Sequence, residues 1–265
     1  MSALTLVLIA TVALCAAFAV IYAIARRMDN YGIVDIAWSY AFGALAVFCA
    51  LAAPGWAPRR WLIAGCVVVW SLRLGTHLYV RVMGHHPEED GRYREMRRRW
   101  ADGFARKMFV FYQQQAVSVV ILGLPFFLIT RNPAHGFHLL EIAGALLWLT
   151  ALLGESIADT QLNAFKRNPA NRGRVCDAGL WAVSRHPNYF FEWCVWVAYF
   201  VLACASPSGW TSLLCPAVML YLLLRVTGIP MTEEQAVRTK GDAYRAYQRR
   251  VSAFVPWFPK KLPPT

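Results

Sequence analysis

The sequence predicts an all-α integral membrane protein: a bundle of about seven transmembrane helices followed by an amphipathic C-terminal helix on the cytoplasmic side. Three observations predict it. Of 265 residues, 58% are hydrophobic and only 16% charged, which is too apolar for a soluble domain of this length. Apolar stretches of about 20 residues, enough to cross a hydrocarbon core of roughly 30 Å, recur along the whole chain. The lysines and arginines, finally, are concentrated in alternate connections between those stretches.

The first stretch, Leu4 to Ala25, has no basic residue before it and no small-residue cleavage site after it. It therefore reads as helix one and not as a removable signal peptide. Further spans are expected at 34–53, 61–80, 109–130, 139–160, 189–206 and 210–230. After Pro230 a polar tail reads as one amphipathic helix from Thr232 to Arg250, with Thr232 as its N-cap and Glu233 and Glu234 in its first turn. The prolines from Pro256 onward end it.

Of the 27 lysines and arginines, 22 fall in the first, third and fifth connections and the tail. The opposite side holds only Arg59, Arg60 and Arg131, while Arg73 and Arg225 lie inside spans. Because cytoplasmic loops carry the basic excess, the N-terminus is expected outside and the C-terminus in the cytoplasm.

The net charge of +12 is read as this orientation signal and as contact with anionic lipid, before nucleic acid; a phosphate-bearing ligand is a third reading. The Arg-rich run Arg97 to Arg99 reads as a solvated or lipid-facing helix. Seven cysteines, an odd number without a C-x-x-C pair, give neither a disulfide framework nor a zinc signature. His85 and His86 are adjacent, His135 and His138 lie on the other side, and no H-x-x-x-H occurs, so no metal site is expected. No solenoid-type repeat is visible.

Ionisable groups within spans cost at least about 2.5 kcal/mol each on insertion scales, so each marks a candidate site. Asp35 opens span two, Arg73 lies late in span three, and Tyr112 with Gln113 to Gln115 opens span four. Glu155 and Asp159 close span five at i, i+4 spacing; Asn188 and Glu192 open span six at the same spacing; Arg225 ends span seven. A helix puts i and i+4 on one face, so each pair presents two polar groups to a common cavity. All of these fall in the cytoplasmic half of the predicted topology, and the outer half holds almost nothing ionisable. Acids, amides and arginines bordered by basic loops suit a ligand with an aromatic portion and several phosphates, as a nucleotide cofactor has. There is neither a G-x-G-x-x-G after a strand nor a G-x-x-x-x-G-K-[ST], so helices and loops have to hold it.

The string from Gly179 to Trp193, GLWAVSRHPNYFFEW, resembles the C-terminal domain of the steroid 5-alpha-reductase family, including its bacterial members of undetermined function. The resemblance is best over residues 150–257, where E-S-I-A-D, the G-L-W turn, Asn188 with Glu192, and the Arg225 helix with its Tyr-containing tail follow the family's order. It implies a seven-helix bundle that binds NADPH from the cytosolic side and reduces the C=C bond of an enone in a lipophilic, steroid-like substrate entering from lipid. It implies cofactor contacts from Arg73, Glu155, Asp159, Lys166, Arg174, Arg185, His186, Asn188, Glu192 and Arg225, with Tyr244 and Tyr247 covering the cofactor. The chain then divides into a substrate-side half, 1–130, and a cofactor-binding half, 139–257, of one membrane domain, 1–265, placed in a bacterial inner membrane. The implied partners are the lipophilic substrate and membrane lipid; no nucleic acid and no obligatory protein partner is expected.

The chain departs from that family at the proton donor. A Gln-Glu pair on span two and a Tyr on span three are matched here by Asp35 and Trp70, and an indole cannot transfer that proton. Arg73, three residues beyond Trp70, does match an arginine of the family's third span. Asp35, with a pKa raised by burial, is the first candidate donor, and Tyr40 and Tyr112 are the alternatives. The R-H-P-x-Y string with a downstream Glu also resembles the isoprenylcysteine carboxyl methyltransferase family, which implies S-adenosylmethionine as the competing cofactor.

Overall fold

In the computed structural model, which describes residues 1–226 and 228–260, every regular element among the described residues is helical. Among the described residues six helical stretches are long and apolar enough to cross a membrane: Ala3–Met28, Ile33–Ala52, Ala57–Met83, Phe104–Arg131, Leu139–Arg167 and Gly209–Lys240. The protein is thus an all-α integral membrane protein. The remaining expected span forms a helix of 17 residues, Pro187–Ala203, outside that set of six.

The outward surfaces have the chemistry of a bilayer solvent. Leu8, Val12 and Val20 on the first helix and Leu146, Leu149, Leu153 and Ile157 on the helix from Leu139 are exposed. Buried positions include Glu155, Asp159 and Glu192, the reverse of a soluble fold, because the bilayer rewards apolar exposure and confines polar groups to the interior.

The chain forms two compact units. The first comprises residues 1–138 and 203–209, and the second 139–202 and 210–265. In the first, α1 (Ala3–Met28) begins at Ser2, whose hydroxyl accepts from the Thr5 N–H, and ends at Asp29 in the left-handed region. The helices α2 (Ile33–Ala52) and α3 (Ala57–Met83) pack closely. Gly75 makes this approach feasible, since a Cβ there would stand 2.5 Å from the Tyr40 ring. Trp70 lies fully buried with its ring edge-on to Phe42 at 5.6 Å.

A short polar helix, α4 (Gly91–Arg99), follows α3. The expected fourth span is interrupted: α5 (Phe104–Leu122) gives way to α6 (Leu124–Arg131) at Gly123 and Pro125, because proline supplies no N–H to the ladder.

The second unit opens with α7 (Leu139–Arg167), which runs past the expected end at 160. Two 3-10 turns lead to α8 (Pro187–Ala203). Gly154 of α7 faces Phe191 of α8 so closely that a Cβ would lie 2.5 Å from the ring. A 3-10 turn, Gly209–Leu213, leads to α9 (Leu214–Tyr221), which continues as a π turn over Leu222–Val226 carrying Arg225.

The tail corrects the sequence reading. It is two helices, α10 (Ile229–Lys240) and α11 (Asp242–Arg250), divided at Gly241 with φ 56° and ψ −130°, a backbone conformation open to glycine alone. Thr232 is no N-cap; it lies inside α10 and its hydroxyl donates to the Gly228 carbonyl.

Candidate functional site

The expected site residues fall in both units: Asp35, Tyr40, Arg73 and Tyr112 in the first, and the others in the second. In the first unit Asp35, at the start of α2, is the centre of a charged cluster. Arg92 donates to Oδ2 at 2.6 Å, the Tyr93 hydroxyl donates to Oδ1 at 2.8 Å, and Arg81 stands 3.8 Å away. Asp90 caps α4 through the Arg92 N–H and also faces Arg81 and Arg92. Burial raises the Tyr93 phenol well above its ordinary pKa, and the Asp35 charge raises it further, so the ring stays a neutral donor. Asp35 is thus ion-paired and hydrogen-bonded to groups on α3 and α4, which inspection of span two by itself does not reveal.

Tyr112 is fully buried, and its hydroxyl donates to the Tyr31 carbonyl at 2.8 Å, so it serves the packing of α1, α2 and α5. Tyr40 has a different setting. Its hydroxyl lies 3.2 Å from that of Thr76, and its ring borders an open groove of about 530 Å³ between α2 and α3, lined by Val47, Phe48, Leu51, Val68, Ser71 and Leu72. That groove is apolar apart from the Tyr40 and Ser71 hydroxyls. Arg73 is half-buried on α3.

In the second unit the two i, i+4 pairs come together. Asn188 Nδ2 donates to Asp159 Oδ1 at 3.1 Å, joining α8 to α7. Glu155, one turn before Asp159, is 4% exposed, and Glu192, one turn after Asn188, is 8% exposed and accepts from the Trp196 indole at 2.9 Å. Such polar groups within membrane helices are costly and therefore mark a candidate site.

Around this pair the segment 181–189 is fastened by the tail. Arg185 Nε donates to Glu233 Oε1 at 2.6 Å, and its Nη1 donates to the carbonyls of Gln248 and Val251. His186 Nε2 is 3.3 Å from the same Glu233 oxygen, and its ring stacks on Tyr189 with 6° between planes. Gln248 donates to Glu233 Oε2 at 3.0 Å. The Tyr247 hydroxyl donates to the carbonyls of Trp181 and Ser184, and burial pushes its pKa up. Tyr244 and Tyr247 are buried against Val251, Val175 and Val237. Arg185, His186 and Tyr247 are thus bound within the protein: Glu233, supported by Gln248, holds Arg185 and His186, and the Trp181 and Ser184 carbonyls hold Tyr247.

Lys166, Arg174 and Arg225 are exposed. Arg174 borders a cleft of about 400 Å³ with Asp177, Ala243, Ala246, Tyr247 and Arg250, across which Arg250 pairs with Asp177 at 2.6 Å. Among the described residues no cluster of three or more His, Cys, Asp or Glu side chains could hold a metal ion. Two further ionisable groups are buried: Arg59 and Glu141, at the starts of α3 and α7, are 2% and 1% exposed. From sequence alone an acid in a first helical turn, as Glu141 is, reads as a cap.

Membrane helices that bury carboxylates, an amide and arginines beside basic connections define a polytopic membrane protein with a polar site built into its helices. The chain belongs to the family described as proteins of unknown function (DUF1295), whose model matches residues 21–251 and so takes in every candidate residue named above. No curated protein and no solved structure matches the chain.

Proposed function

We propose that the protein is a membrane reductase that uses NADPH to reduce the C=C bond of an enone in a lipophilic, steroid-like substrate. The observation that carries the reading is the Asp159–Asn188 hydrogen bond between α7 and α8, flanked by buried Glu155 and Glu192. Carboxylates and an amide are the partners that ribose hydroxyls and a carboxamide require, and the exposed cations Lys166 and Arg174 suit phosphates. The donor set therefore fits the group in chemical type. When bound, NADPH would supply a hydride to the beta carbon of the enone, and a proton added at the alpha carbon would complete the reduction.

The chain's own residues bind and orient. Asp159, Asn188 and Glu192 would hold the polar end, and Glu233, through Arg185 and His186, keeps the 185–189 segment in place. Of the first unit's candidate donors, Tyr40 borders an apolar groove, whereas Asp35 is ion-paired and Tyr112 is bound to a carbonyl, so Tyr40 is the one of these three with its hydroxyl beside space for an apolar molecule. The excess of Lys and Arg in alternate connections supports a cytoplasmic site and C-terminus. The resemblance to the reductase family's bacterial members is what suggests a bacterial inner membrane.

One observation favours a second reading. Arg185 is committed to Glu233 and two carbonyls, and the buried acids 155, 159 and 192 would suit the sulfonium of S-adenosylmethionine in a membrane methyltransferase. Titration of detergent-solubilised protein with each cofactor, followed by thermal midpoint, separates the two, because a ligand that binds only the folded state stabilises it by mass action. The reductase reading expects a rise with NADPH alone that disappears in Asn188→Ala/Glu192→Ala. A rise with S-adenosylmethionine alone transfers the proposal to methyl transfer, and a rise with neither removes both.

A further inference from the structure

The two ends of the first unit treat their cations differently. At one end Arg59 is buried and donates to the carbonyls of Asn132, Ala134 and Gly136; Arg60 donates to the Ala53 carbonyl at 2.6 Å and Arg131 to the Met1 carbonyl at 2.9 Å. These guanidiniums are spent on the backbone, capping helix ends and fixing the 132–138 loop.

At the other end the cations face outward. Arg26 and Arg27 in the last turn of α1, and Arg106 and Lys107 in the first turn of α5, are exposed. The Tyr22 hydroxyl donates to the Ala105 carbonyl at 2.8 Å, which sets those two turns side by side. α4 adds Arg98 and Arg99, whose side chains are 79% and 74% exposed. Glu95 pairs with both, but one carboxylate against two guanidiniums leaves a surplus of positive charge.

The inner face of α4 is anchored, so its outer face is fixed. Arg92 and Tyr93 bind Asp35 at the start of α2, and Arg97 binds Glu89 and Asp29 while lying over the Tyr31 and Phe104 rings. Half-buried Trp100 follows immediately, an amphipathic ring of the kind found at headgroup level.

We propose that this rim, formed by α4 and the adjoining turns of α1 and α5, is a binding surface for the headgroups of anionic phospholipids. Where membrane-spanning helices leave the hydrocarbon, their terminal turns lie at the depth of lipid phosphates. Outward guanidiniums there meet phosphate oxygens with a geometry they match, and the attraction falls with salt. A polyanion in the aqueous phase is less suited, since the rim is bound down against the ends of α1, α2 and α5. The inference holds whichever leaflet the rim faces and is independent of the reductase reading.

The test uses the full-length protein in neutral detergent, titrated separately with phosphatidylglycerol and phosphatidylcholine, with binding read by native mass spectrometry and by thermal midpoint at low and high salt. Phosphatidylglycerol is expected to bind at least about tenfold more tightly, given about fivefold per cation near an anionic surface. High salt should shrink that preference. The variant Arg98→Gln/Arg99→Gln/Arg106→Gln/Lys107→Gln should lose it, and Arg131→Gln, at the opposite end, should keep it. If the fourfold variant does not fold, Arg106→Gln/Lys107→Gln is read for a partial loss. Equal binding of the two lipids, a preference unchanged in the variants, or tighter binding of single-stranded RNA than of phosphatidylglycerol vesicles overturns the proposal.

Discussion

Asp35 in the first unit and Asp159 in the second are both acids at the ends of membrane helices, yet they are held by different means. Arg92, Arg81 and Tyr93, brought from outside the span, converge on Asp35 and fasten α4 to α2. Asp159 meets the amide of Asn188 on the neighbouring helix, with Glu155 and Glu192 buried beside the pair. The first arrangement is a clamp that ties a helix end to a short polar helix and to the last turn of α3. The second is a hydrogen bond between two long helices with two further acids buried beside it. Acids buried together on two neighbouring helices are therefore a better guide to a site than a single acid paired at a helix end.

The strongest way to break this comparison is Asp35→Asn. Three donors lose their anion in a half-buried place, so the folded state should lose about 2 kcal/mol, read as a drop of several degrees in thermal midpoint. If the midpoint holds while enone reduction stops, Asp35 is an acid catalyst and the clamp reading is wrong. Glu233→Gln probes the equivalent clamp of the second unit. It leaves Arg185 and His186 without their carboxylate and should cost about 1–2 kcal/mol, with faster hydrogen exchange over 229–250. Protection there that matches the unaltered protein would mean that Tyr247 and the Arg185 contacts to carbonyls suffice to hold the tail.

Glu192→Gln sharpens the other side. Glutamine still accepts from the Trp196 indole, so stability should change by less than about 1 kcal/mol. The midpoint rise caused by NADPH should nevertheless fall at least about tenfold in apparent affinity, since hydrogen bonds to a charged partner are worth more than those to a neutral one. An undiminished response removes Glu192 from the proposed cofactor site.

How far the sequence discloses this follows from the range of each interaction. The spans are legible because apolar length is a property of contiguous residues, and the meeting of Asp159 with Asn188 is anticipated by two i, i+4 pairs on successive spans. The division of the tail at Gly241 is also signalled, by a lone glycine inside a helical pattern, although the run 232–250 reads as continuous without the backbone angle. The Asp35 clamp is not legible: Arg92 and Tyr93 are 57 and 58 residues away, in a run that looks like a solvated helix because most of its side chains are arginine. Glu233 reads as a dipole-stabilising acid, and only tertiary structure shows Arg185, His186 and Gln248 gathered on it.

The smallest effect separates charge from capping within the first clamp. Burial by itself would raise the Asp90 carboxyl, but the Arg92 guanidinium, the Arg92 N–H and Arg81 outweigh it and hold the group below the ordinary carboxylate range. A carboxyl depressed in the folded state contributes stability that is complete above the unfolded value of about 3.9 and is lost as the pH falls through the folded one. Asp90→Asn keeps an oxygen for the α4 cap and removes the charge, so at neutral pH it should cost about 0.5–1 kcal/mol. Below the folded pKa both proteins carry a neutral side chain there, and their thermal midpoints should converge as the pH is lowered. A gap that stays constant with pH would show that Asp90 acts only through the cap, and that Asp35, Glu89 and Asp29 supply the negative charge that binds α4.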